Sequence, residues 1–127
     1  MSAYQRTKGA NGERELVNLL KQMLPEYEWQ RLAPLQTSNK KVPDVGGTHK
    51  ETNKDFPFHI EVKKGKATIQ SALKQARENC ASNKTPLAIT RRDHAEWIVS
   101  MSLETFVELV KEKNKETIIL FTKEKSK

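Results

Sequence analysis

The sequence predicts an α/β fold, one mixed β-sheet with α-helices packed on it. Three observations point there. Apolar residues recur at helical spacing in two stretches, Leu16 to Leu24 and Ile69 to Cys80. Short apolar runs rich in β-branched residues, "TPLAIT" and "EWIVSM", stand apart across the charged turn "RRDHA". Near the middle of the chain an amphipathic helix lies between two strand patterns, the signature of a βαβ crossover from the Glu61 strand to the Leu87 strand.

Taken in order, residues 1–10 are polar and basic and are expected to be flexible. Asn11 or Gly12 can cap a first helix whose Leu16, Leu19, Leu20, Met23 and Leu24 share helical spacing up to Pro25. "EYEWQRLAPL" reads as a strand ending near Pro34, "QTSNKK" as loop, and "VPDVGG" as a short strand broken by Gly46 and Gly47. The polar "THKETNKDFP" connects it to a strand over Phe58–Lys63, which Gly65 ends. From Ala67, the positions Ile69, Ala72, Leu73, Ala76 and Cys80 form one stripe of a second helix. After the "TPLAIT" and "EWIVSM" strands, Ser102 caps a third helix with Leu103, Phe106, Val107 and Val110 on one side. "ETIILFTK" closes the order as a last short strand, and residues 122–127 are expected to fray.

The 127 residues contain no Pro/Gly/Ser-rich linker, so 1–127 is read as one domain. Charged residues make up 31% and hydrophobic ones 35%, the balance of a globular chain with a wet surface. Net charge is +7, and the cations cluster at Arg6, Lys8 and Arg14, at Lys40 and Lys41, at Lys63 to Lys66, and at Arg91 and Arg92. Such clustering points to a polyanion, nucleic acid above all. A membrane surface is disfavoured, because no helix pairs a basic face with a Trp/Phe-rich apolar one. The single cysteine, Cys80, makes no internal disulfide and no zinc pattern with the three histidines. With no apolar run near ~18 residues and no signal-like start, a cytoplasmic location is expected.

The chemistry concentrates in "FHIEVKKGK". On one strand face Glu61 and Lys63 stand about 6.5 to 7 Å apart at Cα, so a carboxylate and an ammonium reach one phosphate-sized ligand. Magnesium takes oxygen ligands, one or two carboxylates with water and phosphate. Lys63 can then orient the attacking water and offset charge on the phosphate. Asp44 supplies the second carboxylate if its strand pairs with that of Glu61. Glu13 lies one turn ahead of Leu16 and Leu20 on the inward side of helix one, a position that equally suits the helix dipole. Alternating charges on a strand usually mark a solvated face; here the whole constellation in a basic chain argues for a metal site.

"GANGERELVNLL", "VPDVGG" and "FHIEVKKGK" resemble the PD-(D/E)xK nuclease superfamily, with its restriction-endonuclease-like core of α-β-β-β-α-β order, and within it the small archaeal and phage-type Holliday junction resolvases. The resemblance spans about Lys8 to Arg91. It implies a Mg2+ ion, replaceable by Mn2+, held by Asp44, Glu61 and the backbone carbonyl of Val62, with Lys63 assisting the water. Glu13 would join through a second metal or a water, and Arg14 would touch phosphate. Gln75 matches a glutamine that recurs on the helix after the E-x-K strand, and Thr37 or Ser38 a mobile hydroxyl loop. Two features depart from the pattern: the polar connection over 46–57, and Gly46 where a bulky apolar residue often follows the aspartate.

Other residues suit bland roles as well as sharp ones. His59 shares the Glu61 face and reads as a partly exposed strand histidine. His49 and His94 read as solvated. Arg91 and Arg92 follow a strand at the end where parallel strands present ligands. Lys64 and Lys66 read as grips on a DNA backbone. Trp29, Trp97 and Cys80 read as packing residues.

The reading is a Mg2+-dependent DNA endonuclease, a structure-selective Holliday junction resolvase working as a homodimer on branched DNA in a prokaryotic, archaeal or phage-infected cell. The alternatives are another PD-(D/E)xK nuclease acting on duplex, flap or single-stranded DNA, and a noncatalytic DNA-binding module. The presence of all three motif residues argues against the last.

Overall fold

The structure is a computed structural model and describes residues 3–32, 41–65 and 69–125, with side chains over 9–32, 41–65 and 69–123. Eight elements follow in order: α1 (Ala3–Met23), β1 (Tyr27–Arg31), β2 (Val45–His49), β3 (Phe58–Lys64), α2 (Ile69–Asn79), β4 (Thr85–Arg91), β5 (Ile98–Ser100) and α3 (Leu103–Lys125). The strands form one sheet in the order β1-β2-β3-β4-β5, antiparallel except for the parallel pair β3–β4. That parallel pair, with α2 as its crossover, is the βαβ unit expected from the sequence.

The sheet is covered on both sides around β3, which is why its burial runs unbroken from His59 to Val62 instead of alternating. Helix α1 packs on β1 and β3, bringing Leu16 and Val17 against Trp29, Val45, Ile60, Val62 and Ile89. Helix α2 packs on β3 and β4 through Ala72 and Ala76, whose small side chains let it lie close to Ala88. Gly12 has a related role in α1: a Cβ there would stand 3.2 Å from Lys64 Cβ, so its absence lets the helix press on β3.

The polar stretch after β2 extends the hairpin. His49 and Lys54 close it through a 2.8 Å backbone hydrogen bond, Asn53 turns with φ 62°, and Thr48 bridges Asp55. The His49 ring accepts the backbone N–H groups of Glu51 and Thr52, each at 3.2 Å, so this histidine caps its own turn. The chain then returns Phe56 to a stack with Tyr27, Trp29 and Phe58, with ring centroids 4.9 to 5.3 Å apart.

The same stack accounts for the glycines of β2. A Cβ on Gly47 would meet the Trp29 ring at 2.8 Å, and one on Gly46 would meet Leu32 Cδ1 at 2.5 Å. Leu32 thus fills the space that a bulky residue at position 46 would occupy, and Trp29 the space beside position 47. Gly47→Ala should lower stability by about 1 to 3 kcal/mol, measured by denaturant unfolding, because a buried indole cannot move aside as a flexible chain end can.

Two expectations are corrected. Helix α1 starts at Ala3, not at Asn11 or Gly12, so those two residues lie inside the helix. "ETIILFTK" is not a strand but the second half of α3. Ser102 does cap that helix, its Oγ accepting the Thr105 N–H at 3.1 Å, and once nucleated the helix continues through the β-branched run. Leu103, Phe106, Val107 and Val110, on one side of that helix, are exposed. Trp97 stands just before β5 and is partly buried against the core cluster.

Candidate active site

Asp44 directly precedes β2 and is held by three hydrogen bonds. Its N–H donates to the Ile60 carbonyl at 3.0 Å, its carbonyl accepts the Leu32 N–H at 2.8 Å, and its Oδ2 accepts the Val62 N–H at 2.9 Å. The side chain therefore continues the β2–β3 ladder in place of backbone. This fixes one carboxylate beside the other, since Val45 pairs with Ile60 and the next step along both strands places Asp44 opposite Glu61.

Both carboxylates are buried, Asp44 at 9% and Glu61 at 4% exposure. Burial, then the hydrogen bond and negative charge of Glu61, push the Asp44 carboxyl up to about 7. Burial alone would raise Glu61 too, but the neighbouring His59 and Asp44 side chains, with the charge of Lys63, outweigh it and hold Glu61 below its ordinary value. The pair thus gives up its second proton only as pH approaches neutrality.

Lys63 is half-buried and acts electrostatically on both Glu61 and Glu13. His59, expected to be partly exposed, is fully buried. Its Nε2 lies 3.5 Å from Glu61 Oε1, the outer limit of hydrogen-bond reach, and neither ring nitrogen makes a well-formed hydrogen bond among the described residues. The covering of β3 by α2, unreadable from the strand alone, is what buries it.

Glu13 is buried at the edge of this group, its Oε1 accepting from Arg31 Nε at 2.9 Å. Burial raises its pKa, with Arg31 opposing the rise and Glu61 adding to it. Glu13 therefore senses the charge of the pair but is tied to arginine. Among the described residues no three His, Cys, Asp or Glu side chains converge as a metal-binding group. Two do, and two buried carboxylates burdened with a shared proton fit a hard divalent cation whose other ligands are carbonyl, water and phosphate oxygens.

The predicted cations divide. Lys64 Nζ pairs with Glu15 Oε2 at 2.9 Å, and Arg91 Nη1 pairs with Oε1 of the same residue, so Glu15 clamps two of them together. Sequence reasoning missed Glu15, since its partners lie 49 and 76 residues away. Arg14 is exposed and donates to Asn11 Oδ1 at 3.2 Å. Lys41 donates to the Cys80 carbonyl at 3.3 Å, while Arg92 and Gln75 are exposed. Thr37, Ser38, Lys40 and Lys66 lie outside the described residues, as do the side chains of Arg6 and Lys8.

With the site in place, residues 4–127 match a family model described as "Phage putative PDDEXK endonuclease". The chain belongs to that family. It is therefore a nuclease of the PD-(D/E)xK group, and its mixed sheet and helices are the restriction-endonuclease-like fold. A solved structure supports the fold: Hjc of Archaeoglobus fulgidus, a Holliday junction resolvase, aligns with a TM-score of 0.51 at 19% identity over 73% of this chain and 76% of that one. No curated protein matches the chain. No helix among the described residues is long and apolar enough to cross a membrane.

Proposed function

We propose that this PDDEXK-family chain is a Mg2+-dependent DNA endonuclease, a Holliday junction resolvase that acts in the cytoplasm as a homodimer on branched DNA. The observation that carries the proposal is the buried Asp44–Glu61 pair with Lys63 on the same strand, in a chain of net charge +7. Asp44, Glu61 and the Val62 carbonyl would hold Mg2+ or Mn2+. Once bound, such an ion supplies positive charge at the scissile phosphate and favours ionisation of water.

The chain's own groups do the rest. The Val62 N–H aims Asp44. His59 stands against Glu61 and limits its rotamers. Lys63 offsets the charge that develops on the phosphate and orients the attacking water. Glu13 and Gln75 are assigned to the outer part of the site, Glu13 reaching a second ion or a water. Arg6, Lys8, Arg14, Thr37, Ser38, Lys40, Lys41, Lys64, Lys66, Arg91 and Arg92 are assigned to the DNA backbone.

The resolvase reading is tested by offering four-way junction, flap, duplex and single-stranded DNA with Mg2+. Symmetric nicks across the junction, at protein levels that leave duplex intact, support it. Cleavage of duplex or flap in preference to the junction assigns another activity of the superfamily. No cleavage of any DNA with any divalent metal overturns the nuclease as a working enzyme.

Glu15 adds a prediction. It neutralises Lys64 and Arg91 in the free protein, so Glu15→Gln should tighten DNA binding by about 3- to 10-fold and steepen its salt dependence. Fluorescence anisotropy over a salt series reads both; unchanged affinity and slope would remove these cations from the DNA path.

A further inference from the structure

Among the described residues, the buried side-chain nitrogens and oxygens that lack a well-formed hydrogen bond are both on His59, Nδ1 and Nε2 of its ring. The ring is fully buried, and with Ile60 and Val45 it is among the largest side chains enclosed in the core. Burying two unpaired nitrogens opposes folding. Leucine has about the same volume and no polar atoms, so packing alone gives no reason for a histidine at this position.

A neighbour on the same strand gives one. Residues 59 and 61 lie on one face of β3, and His59 Nε2 stands 3.5 Å from Glu61 Oε1. An ionised carboxylate accepts hydrogen bonds and donates none, so the tautomer that suits this contact carries its hydrogen on Nε2. A shift of a few tenths of an ångström brings the two groups into the usual range of about 2.7 to 3.2 Å. Asp44 faces the same carboxylate from the other side of the β2–β3 ladder, one residue ahead of the Val45–Ile60 pair. Glu61 thus stands between a ring that can donate to it and a second carboxylate that repels it when both are ionised. An ion between Asp44 and Glu61 relieves the repulsion, and His59 is placed to hold the Glu61 oxygen that the ion does not use. The ring is no third ligand, since no three His, Cys, Asp or Glu side chains converge as a metal-binding group among the described residues.

We propose that His59 is a positioning residue whose Nε2–H holds Glu61 Oε1, so that Glu61 offers a divalent ion one oxygen and not two. This rests on the reading of Asp44 and Glu61 as the pair that holds the metal, and it bears on which ion they hold. Mg2+ and Mn2+ take about six oxygens in an octahedral arrangement, whereas Ca2+ takes about six to eight and readily uses both oxygens of one carboxylate. A Glu61 restrained by His59 therefore favours the smaller ions over Ca2+.

Calorimetric titration of the metal-free full chain with Mg2+ and with Ca2+ tests this. His59→Leu is expected to weaken Mg2+ binding by about 10- to 100-fold and to leave Ca2+ bound at least as tightly as in the wild type. His59→Gln, whose side-chain amide can donate to the same oxygen, should recover most of the Mg2+ affinity. Without metal, His59→Leu should melt no lower than the wild type, because it takes two unpaired nitrogens out of the core. A second measurement needs no variant: in NMR spectra of the isotope-labelled wild type with Mg2+, His59 should show a slowly exchanging ring proton on Nε2. Equal losses for both ions, unchanged Mg2+ affinity in His59→Leu, or a His59 ring proton on Nδ1 with Mg2+ bound would each overturn the proposal while the metal site stands. A wild type that binds neither ion would overturn the metal site and the proposal together.

Discussion

Glu61→Gln should reduce DNA cleavage by about 10³-fold or more, equivalent to ~4 kcal/mol of transition-state stabilisation, while leaving DNA binding intact. The carboxylate is the buried group that neighbouring charge keeps ionised, so it is the one ready to meet a cation at neutral pH. The amide keeps the shape of the side chain but removes its charge. The basic residues assigned to the DNA backbone are untouched, and removing a negative charge beside the phosphate cannot weaken binding electrostatically. Lys63→Ala should also abolish cleavage, but it leaves the carboxylate pair in place, so Mn2+ binding by calorimetry separates the two variants: lost in Glu61→Gln, kept in Lys63→Ala. A Glu61→Gln protein that cleaves at the wild-type rate would remove this site from the chemistry.

What the sequence made legible follows physical range. The βαβ unit and the Asp44–Glu61 pairing could be read because short-range alternation and helical spacing determine them, and because a carboxylate just before a strand meets the adjacent strand at one register. The inward position of Glu13 was readable from α1, but its arginine was not, since Arg31 arrives through the packing of α1 on β1. The burial of His59 was hidden for the same reason: alternation assigns a residue to a face without saying whether a helix covers that face. Glu15 had no local signature at all. Gly12 misled, because a glycine near a helix start resembles a boundary, whereas here it serves the close approach of α1 to β3. In "ETIILFTK" β-propensity suggested a strand, but no sheet edge receives those residues, and continuing a capped helix satisfies their backbone instead.

The carboxylate pair also predicts how stability depends on pH. Asp44 holds its proton up to about 7 in the folded chain, against an ordinary value of 3.8. Between those two pH values the folded state keeps a proton that the unfolded state has released, so the contribution of Asp44 to stability falls as pH rises and is constant above about 7. The lowered pKa of Glu61 offsets part of this once pH rises above its ordinary 4.5, leaving on the order of 2 to 4 kcal/mol of unfavourable burial at neutral pH. Asp44→Asn removes the charge and keeps an oxygen for the Val62 N–H, so it should stabilise the metal-free protein by that order. The gain should be absent near pH 4 and complete above pH 7 in thermal or denaturant unfolding. A divalent ion should do for the wild type what the substitution does, with an affinity that drops as pH falls below about 7 because ion and proton compete for the same oxygens. If Asp44→Asn is no more stable than wild type at pH 8, the two carboxylates are not strained against each other, and the cation loses the electrostatic reason for binding between them.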